Sequence, residues 1–310
     1  MDLALVENIW HQASISPEYL AEMQQVCFPT TKSSNSLTQL PLLFCELNGG
    51  NKQHIVPIIT AWNILRFAAR LLDDIEDNDV KDRAMAKPIA LNVSTGLLFT
   101  VGQILNSLEA TGVHPEIASD IRHTFYKELL KICSGQHLDL RPEIPTIDAC
   151  WQICGAKSGA FIGLICWAGG RVANANQEQL ELYYQFGYNL GLLDEIRDDL
   201  ADLWADDFHH SDLQNSQHYS LPIAYALSVL PEDKNQKLRA CLQHKSFDPD
   251  IEIMARELIV QSGAGVYLTV QSTYYFQHSQ QLLEKMDLPE EALHKLKTVL
   301  NKARLPIVET

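Results

Sequence analysis

The sequence predicts an all-α protein, and three observations support that prediction. Glycine (15) and proline (13) are sparse in the 310 residues. The segments between them carry apolar residues at helical spacing, as in the series Ile64, Phe67, Ala68, Leu71, Leu72 and Ile75. Strict alternation of β-branched residues, which is typical of strands, is absent. No linker, compositional break or internal repeat divides the chain, so we expect a single domain, residues 1–310.

Glycine and proline mark the expected helix ends. Gly49-Gly50 precede a helix that runs from about Pro57 to about Asp79. Lys87-Pro88 separates this helix from the next one. Further breaks are expected at Arg141-Pro142 to Pro145 and at Asp248-Pro249.

Composition excludes several classes of function. The chain has 24 Lys plus Arg against 39 Asp plus Glu, a net charge of −15, so we expect no nucleic-acid partner. The longest apolar runs, such as 161–170, are shorter than the roughly 20 residues of a membrane span, so we expect no stable membrane insertion. The N-terminus has no signal-peptide pattern, and we expect a cytoplasmic location. The seven cysteines are expected to be reduced core thiols.

The first chemical signal is an acidic segment that ends an apolar helix. Asp73, Asp74 and Asp77 form a DDxxD motif. Asp73 and Asp77 share one helix face, where like charges repel, and carboxylates at a helix C-terminus are unfavourable. A bound cation would compensate these charges. The alternative is an ordinary solvated helix end.

A second acidic segment repeats this spacing at Asp198, Asp199 and Asp202. Two such clusters on long helices of one bundle can face each other across a cavity, where carboxylate oxygens favour Mg²⁺, with Mn²⁺ as the alternative. Protein-bound Mg²⁺ typically joins one or two carboxylates to substrate phosphates. The predicted ligand is therefore a diphosphate. No Gly-rich nucleotide-binding loop is present.

Other segments accompany the two acidic motifs in a fixed order. They are Ser134–Leu140 (SGQHLDL), Lys157–Phe161 (KSGAF), Phe186–Gly191 (FGYNLG), and Asp212-Leu213 with Ser220-Leu221-Pro222. With them the chain resembles the trans-prenyltransferase, or polyprenyl diphosphate synthase, family of class I isoprenoid synthases. The resemblance implies a helical isoprenoid synthase fold, Mg²⁺-dependent ionisation of an allylic prenyl diphosphate, and a homodimer.

The resemblance also implies roles for individual residues. The metal ligands would be Asp73, Asp77, Asp198 and Asp202, with Asp74 and Asp199 in support. Lys157 and Arg83 would hold the diphosphate. Lys157 has no carboxylate near it in sequence, which favours a phosphate contact. Gln136 is expected either to support the site or to bridge helices. Gly187 and Gly191, four residues apart, suit close helix packing.

Several positions depart from the pattern of chain-elongating members. The basic residues that hold isopentenyl diphosphate in the family are replaced by Gln53, His54 and Val56, and His218 stands for a lysine. Arg66 stands for a histidine, and Asp194-Glu195 stand for Phe-Gln. Each lost charge-assisted contact weakens binding by about 1.5–3 kcal/mol, unless Lys52, Arg66 and Lys87 compensate.

Three reactions therefore remain open: elongation, cyclisation by a terpene synthase mechanism, and transfer to another acceptor. The segments 72–79, 90–92 and 134–137 resemble ComQ-type isoprenyl transferases, which prenylate a tryptophan of a peptide. The complete second acidic motif weakens that resemblance. It also argues against a non-catalytic regulatory subunit, which should have eroded metal motifs.

Two small residues bear on chain length. Ala68 and Ala69 precede Asp73 by five and four residues, where C15-forming members usually carry an aromatic residue. Because side chains four apart lie on one helix face, the pocket is expected to admit a C20 or longer chain. The alternative is that the alanines only allow two helices to pack closely.

Overall fold

Every regular element in the computed structural model is helical in the part of the chain that it describes, which confirms the predicted fold class. The described residues are 1–27, 36–76, 85–141, 145–204, 220–244 and 248–305, without the side chains of Ser36, Asp202 and Trp204.

Fourteen α-helices are found within these ranges. They are α1 (Leu3–Gln12), α2 (Pro17–Cys27), α3 (Leu40–Leu47), α4 (Lys52–Glu76), α5 (Lys87–Asn106), α6 (Pro115–Asp139), α7 (Ile147–Cys154), α8 (Ala160–Val172), α9 (Gln177–Trp204), α10 (Leu221–Val229), α11 (Glu232–Leu242), α12 (Pro249–Gln261), α13 (Ala264–Lys285) and α14 (Glu290–Ala303). Short 3₁₀ turns lie at Ser36–Gln39 and Glu109–Thr111. A π-helical turn, Gly155–Gly159, joins α7 to α8.

The chain forms two compact units. The first contains Met1–Lys127 and Leu164–Tyr184, and the second contains Glu128–Gly163 and Gln185–Thr310. The first acidic motif belongs to the first unit and the second motif to the second unit. The expectation of a single domain remains a prediction.

The core of the first unit is built on α4 and α5, which pack against each other. Ile58, Ile64 and Leu71 of α4 are fully buried, as are Val93 and Leu97 of α5. Burial of such side chains stabilises the fold by about 1.5–3 kcal/mol each. This packing fixes the helix that ends in the first acidic motif.

The start of α4 differs from the sequence prediction. The helix begins at Lys52, five residues before Pro57, which therefore lies inside it. The side chain of Asn51 accepts a hydrogen bond from the backbone N–H of Gln53 at 2.9 Å. This cap satisfies an amide that the first turn leaves without a partner, so the asparagine sets the start. The break expected at Arg141-Pro142 to Pro145 includes residues 142–144, which lie outside the described residues, although α6 ends before it at Asp139 and α7 begins after it at Ile147. The break at Asp248-Pro249 is confirmed, because α12 begins at Pro249.

One core cluster of the second unit positions α9. Leu192, Ile196 and Leu200 of α9 pack with Cys150 and Cys154 of α7. Burial raises the pKa of the Cys150 thiol to about 12, so this thiol is an inert core group. Five of the seven cysteines are buried and all are free thiols, whereas Cys133 is exposed and Cys241 half-buried.

Among the described residues, three segments are long and apolar enough to cross a membrane by length and composition: Lys52–Glu76, Lys87–Asn106 and Ile147–Val172. Continuous apolar runs do not reveal these segments, because polar residues interrupt them although their mean hydropathy stays high. Within the protein, 61%, 44% and 67% of their most apolar stretches are buried. In the first and third segments, therefore, most of that stretch is used in internal packing.

Candidate active site

The first acidic motif lies in the last described turn of α4. Asp73 is exposed and Asp74 is partly buried. Asp77 falls outside the described residues, so the expected alignment of Asp73 with Asp77 on one face remains a prediction. Earlier on the same helix, Ala68 is fully buried and Ala69 is partly exposed.

Arg66 lies two turns before Asp73 on α4. Its guanidinium carbon lies 5.9 Å from the centre of the Trp62 ring and 5.5 Å from that of Phe67. Its Nε atom is buried and has no hydrogen-bond partner among the described residues. Burial, and secondarily Arg70, lowers the pKa of Arg66, although an arginine remains charged in proteins. A buried donor without a partner is costly, so Arg66 suits a site for an anion.

Three other cationic residues predicted to bind substrate have less structural support than Arg66. Lys52 begins α4, its side chain is 71% exposed, and its Nζ atom lies 2.7 Å from Oε1 of Glu46. Arg83 and His218 lie outside the described residues. The substrate-binding roles of all three remain predictions.

The second acidic motif lies within α9 and is held by several partners. Arg197 forms ion pairs with Asp194 and, at 3.1 Å, with Asp198. Asp198 is nevertheless exposed. Asp199 accepts a hydrogen bond through Oδ2 from the backbone N–H of Leu221 at 2.9 Å, and so caps the first turn of α10. Asp202 lies on α9, but its side chain is not among those described.

The π turn carries Lys157 and Ser158. Lys157 Nζ lies 2.5 Å from Oδ2 of Asp139 on α6, which corrects the argument that this lysine has no nearby carboxylate. The partner is 18 residues away in sequence, and only the packing of α6 brings it close. Gln136, one turn before Asp139, is partly buried. Because π turns occur often at functional sites, the lysine's position favours a role in binding.

Small residues let the helices approach this turn. A Cβ atom at Gly191 would lie 2.3 Å from the carbonyl oxygen of Ser158, so α9 and the π turn meet backbone to backbone. This contact confirms the close packing predicted for Gly191. The ring of Tyr188, also on α9, packs directly against Gly155 and Gly159 of the turn. The turn is therefore held against α9 by a backbone contact at Gly191 and by the Tyr188 ring.

Glu195 joins α9 to the π turn. Its carboxylate accepts a short hydrogen bond from the Ser158 hydroxyl. Burial raises the pKa of Glu195, and the Ser158 hydrogen bond and the Lys157 charge oppose this rise. Burial also raises the pKa of Asp194, against the effect of Arg197. The sequence marked Asp194-Glu195 as unusual, but it did not reveal the contact with Ser158.

Aromatic side chains pack beside this part of α9. Trp151 donates a hydrogen bond through Nε1 to the Tyr267 hydroxyl at 2.8 Å, and Tyr225 stacks on Tyr267 at 4.1 Å. Tyr188 and Tyr275 pack against the same core cluster. No local sequence pattern marks this aromatic group, because its members come from four helices.

The acidic motifs offer carboxylate oxygens, which are the type of ligand that Mg²⁺ prefers. Within the described ranges, no three or more His, Cys, Asp or Glu side chains are arranged to hold a metal ion by themselves. Mg²⁺ does not need such a group, because it binds to one or two carboxylates, waters and substrate phosphates. The exposed carboxylates of Asp73 and Asp198 are donors of that type.

The helical architecture and these motifs define a class I isoprenoid synthase fold. The model of the polyprenyl synthetase family matches residues 31–258, and the chain belongs to this family.

Curated relatives and a solved structure agree with this assignment. A short chain isoprenyl diphosphate synthase of Methanocaldococcus jannaschii is 25% identical over 63% of the chain and 62% of its own length. A geranylgeranyl diphosphate synthase of Mycobacterium tuberculosis is 28% identical over 51% of the chain and 47% of its own length. The tryptophan prenyltransferase ComQ of Bacillus spizizenii is 24% identical over 73% of the chain and 79% of its own length. The chain thus covers less than two thirds of the first two relatives. The crystal structure of geranylgeranyl pyrophosphate synthetase from Pyrococcus horikoshii superposes with a TM-score of 0.82, at 20% identity over 96% and 94% of the chains.

Proposed function

We propose that this protein is a Mg²⁺-dependent prenyltransferase that ionises an allylic prenyl diphosphate and transfers the prenyl group. The observation that carries the proposal is the arrangement in the second unit. Asp198 and Asp199 lie one turn from Glu195, and Glu195 is hydrogen-bonded to the residue that follows Lys157. Carboxylates for a metal and a lysine for phosphate thus belong to one packed group of helices.

In this proposal Asp73, Asp77, Asp198 and Asp202 hold Mg²⁺ or Mn²⁺, with support from Asp74 and Asp199. The bound metal supplies Lewis-acid stabilisation of the departing diphosphate. Lys157 and Arg83 bind its oxygens, and Gln136 supports the lysine from α6. Lys157 reaches the diphosphate either by exchanging its contact with Asp139 or by binding both anions at once. The apolar side chains around α9 keep water from the allylic cation that forms when the diphosphate leaves.

The acceptor proposed first is isopentenyl diphosphate, which gives chain elongation. The cations available for its diphosphate are Arg66, with its buried Nε, and Lys52 and Lys87, whereas His218 replaces a lysine. The small Ala68 and Ala69 favour a C20 or longer chain. A cytoplasmic location and a homodimer complete the proposal by family resemblance.

Two observations favour alternatives. The aromatic group beside α9 suits a terpene synthase, because the faces of aromatic rings attract cations. The similarity to a tryptophan prenyltransferase favours transfer to an indole of a peptide.

One experiment separates these reactions. The pure protein is incubated with Mg²⁺ and C10, C15 or C20 allylic diphosphates, with and without isopentenyl diphosphate, and both diphosphate release and products are measured. Longer diphosphates that form only with isopentenyl diphosphate support elongation. A hydrocarbon or an alcohol formed without it supports cyclisation. Full turnover in excess chelator, or no diphosphate release with any substrate, contradicts the proposed function.

A further inference from the structure

Glu195 lies between the two groups that the proposed function assigns to the diphosphate. On one side are Asp198 and Asp199, one turn further along α9. On the other side are Ser158, which donates a hydrogen bond to the Glu195 carboxylate, and Lys157, the preceding residue of the π turn. An allylic carbon is bonded directly to a diphosphate oxygen. In the proposed function Lys157 and the metal aspartates hold the diphosphate, so the reacting carbon is expected close to Glu195.

Two neighbouring carboxylates are paired with cations, and a third accepts a hydrogen bond from a backbone amide. Asp194 is paired with Arg197, and Asp139 with Lys157. Asp199 accepts the backbone N–H of Leu221. The partner of Glu195 is a neutral hydroxyl, which orients the carboxylate without cancelling its charge.

The charged and titratable groups around Glu195 come from three elements. They are Asp198 on α9, Lys157 and the Cys154 thiol on the segment from α7 through the π turn, and Asp139 on α6. Burial raises the pKa of Glu195 more than Lys157 and Ser158 lower it. A carboxylate with a raised pKa is a better proton acceptor than an exposed one, because the efficiency of a general base grows with its basicity.

We propose that Glu195 is the catalytic base that removes the proton which ends the prenyl-cation reaction, with Ser158 as its positioning residue. The inference rests on the proposed function. It assigns to a side chain of this protein the proton transfer that released diphosphate would otherwise carry out.

Heterolysis of the C–O bond leaves an allylic cation and diphosphate, and the cation is attacked by a double bond of the acceptor or of its own chain. The C–H bond next to the resulting cationic carbon then breaks. Its electron pair forms the new C=C bond, and its proton goes to Glu195 and afterwards to water.

The test compares Glu195→Gln with wild type for two quantities: release of diphosphate, and the ratio of proton-loss products to alcohols formed by water. Glutamine is nearly isosteric and still accepts the Ser158 hydrogen bond, but it cannot take up a proton at this position. A general base contributes about 10²- to 10⁴-fold, so proton-loss products should form at least 100-fold more slowly. Diphosphate release should be retained, and the share of alcohol should rise.

Further variants make the assignment specific. Glu195→Asp keeps a carboxylate one methylene shorter and should partly rescue the proton-loss products. Ser158→Ala leaves the carboxylate unheld and should give an intermediate ratio. Glu291→Gln on α14, which removes an exposed glutamate paired with Lys295, should match wild type. In wild type, the rate of proton loss should fall at acid pH, and this limb should disappear in Glu195→Gln.

The outcomes separate the two proposals. Diphosphate release with an unchanged product ratio and pH profile in folded Glu195→Gln overturns the role of Glu195 and leaves the proposed function standing. Absence of diphosphate release by wild type overturns both. Circular dichroism shows whether Glu195→Gln folds. If it does not, Glu195→Asp and Ser158→Ala provide the test, and a wild-type ratio of proton-loss products to alcohols in both variants overturns the inference.

Discussion

The two acidic motifs share a spacing but have different surroundings. The first lies in the last described turn of α4, a helix that carries Arg66 and the small Ala68 and Ala69 on preceding turns. The second lies inside α9, where Arg197 and the amide of Leu221 hold its aspartates and a π turn packs against the same helix. The same motif therefore accompanies an arginine with a buried Nε atom and candidate chain-length residues on one helix, and a network of hydrogen bonds and ion pairs on the other.

If both motifs hold metal for one diphosphate, both should be needed to a similar extent. Asp73→Ala or Asp198→Ala should lower turnover by about 100-fold or more, because metal stabilisation of the leaving group is worth several kcal/mol. Steady-state kinetics with a confirmed helical circular dichroism spectrum checks this. Asp120→Ala, which breaks a pair with Arg171, is the control. Normal turnover in Asp73→Ala would remove the first motif from the metal site.

Arg66 tests whether the first region binds an anion. Arg66→Met keeps an apolar stem but removes the charge, and should weaken binding of inorganic pyrophosphate about 10- to 100-fold, the effect of one charge-assisted contact. Arg66→Lys should retain part of the affinity. Isothermal titration measures both. Arg122→Met, which removes a cation paired with Glu109, should have no effect, and an equal loss there would contradict a specific role for Arg66.

Gly191 tests the backbone contact that belongs to the second region. Gly191→Ala places a methyl group against the Ser158 carbonyl and should lower the free energy of unfolding by about 1–3 kcal/mol. Gly102→Ala on α5 meets the exposed Tyr126 hydroxyl at 3.0 Å and should be neutral or stabilising, since alanine favours helices. Denaturant unfolding compares the two. Equal stability of both variants would mean that α9 shifts easily from the turn.

The paired alanines test the chain-length role of the first region. Ala69 is partly exposed, so Ala69→Phe should fold and shift products toward C15. Ala68 is fully buried, and Ala68→Phe should cost about 1–3 kcal/mol of stability by overpacking. Product analysis and thermal unfolding check these outcomes. An unchanged chain-length profile in folded Ala69→Phe would show that the prenyl chain runs elsewhere.

The smallest expected effect concerns stability and pH. The pKa of Glu195 is higher in the folded state than in the unfolded state. Between these two pKa values the folded state binds more protons, so the free energy of unfolding falls as the pH rises through this range. Glu195→Gln should therefore raise the free energy of unfolding at pH 7, with a smaller gain below the ordinary carboxyl pKa. Urea unfolding at both pH values measures this. A loss of stability at pH 7 would show that the ionised form is favoured in the fold.

Much of this molecule could be predicted from local patterns. Helical spacing gave the fold class, and Asp248-Pro249 gave the start of α12, because an aspartate cap and a proline ring act on their own turn of backbone. The start of α4 was wrong by five residues, because proline is the weaker local signal when Asn51 can cap the helix. The ordered motifs gave the family, which the family model confirms.

The sequence by itself determined the helical fold class, the family and the list of acidic residues, since each depends on residue types at short spacing. Only the tertiary structure decided which groups meet: Lys157 with Asp139, Ser158 with Glu195, and Asp199 with the amide of Leu221. These partners are 18 to 37 residues apart in sequence. Periodicity indicates the face on which a side chain lies, but the partner across that face depends on how the helices pack. Here the lack of a side chain at Gly191 lets α9 approach the turn that carries Lys157 and Ser158.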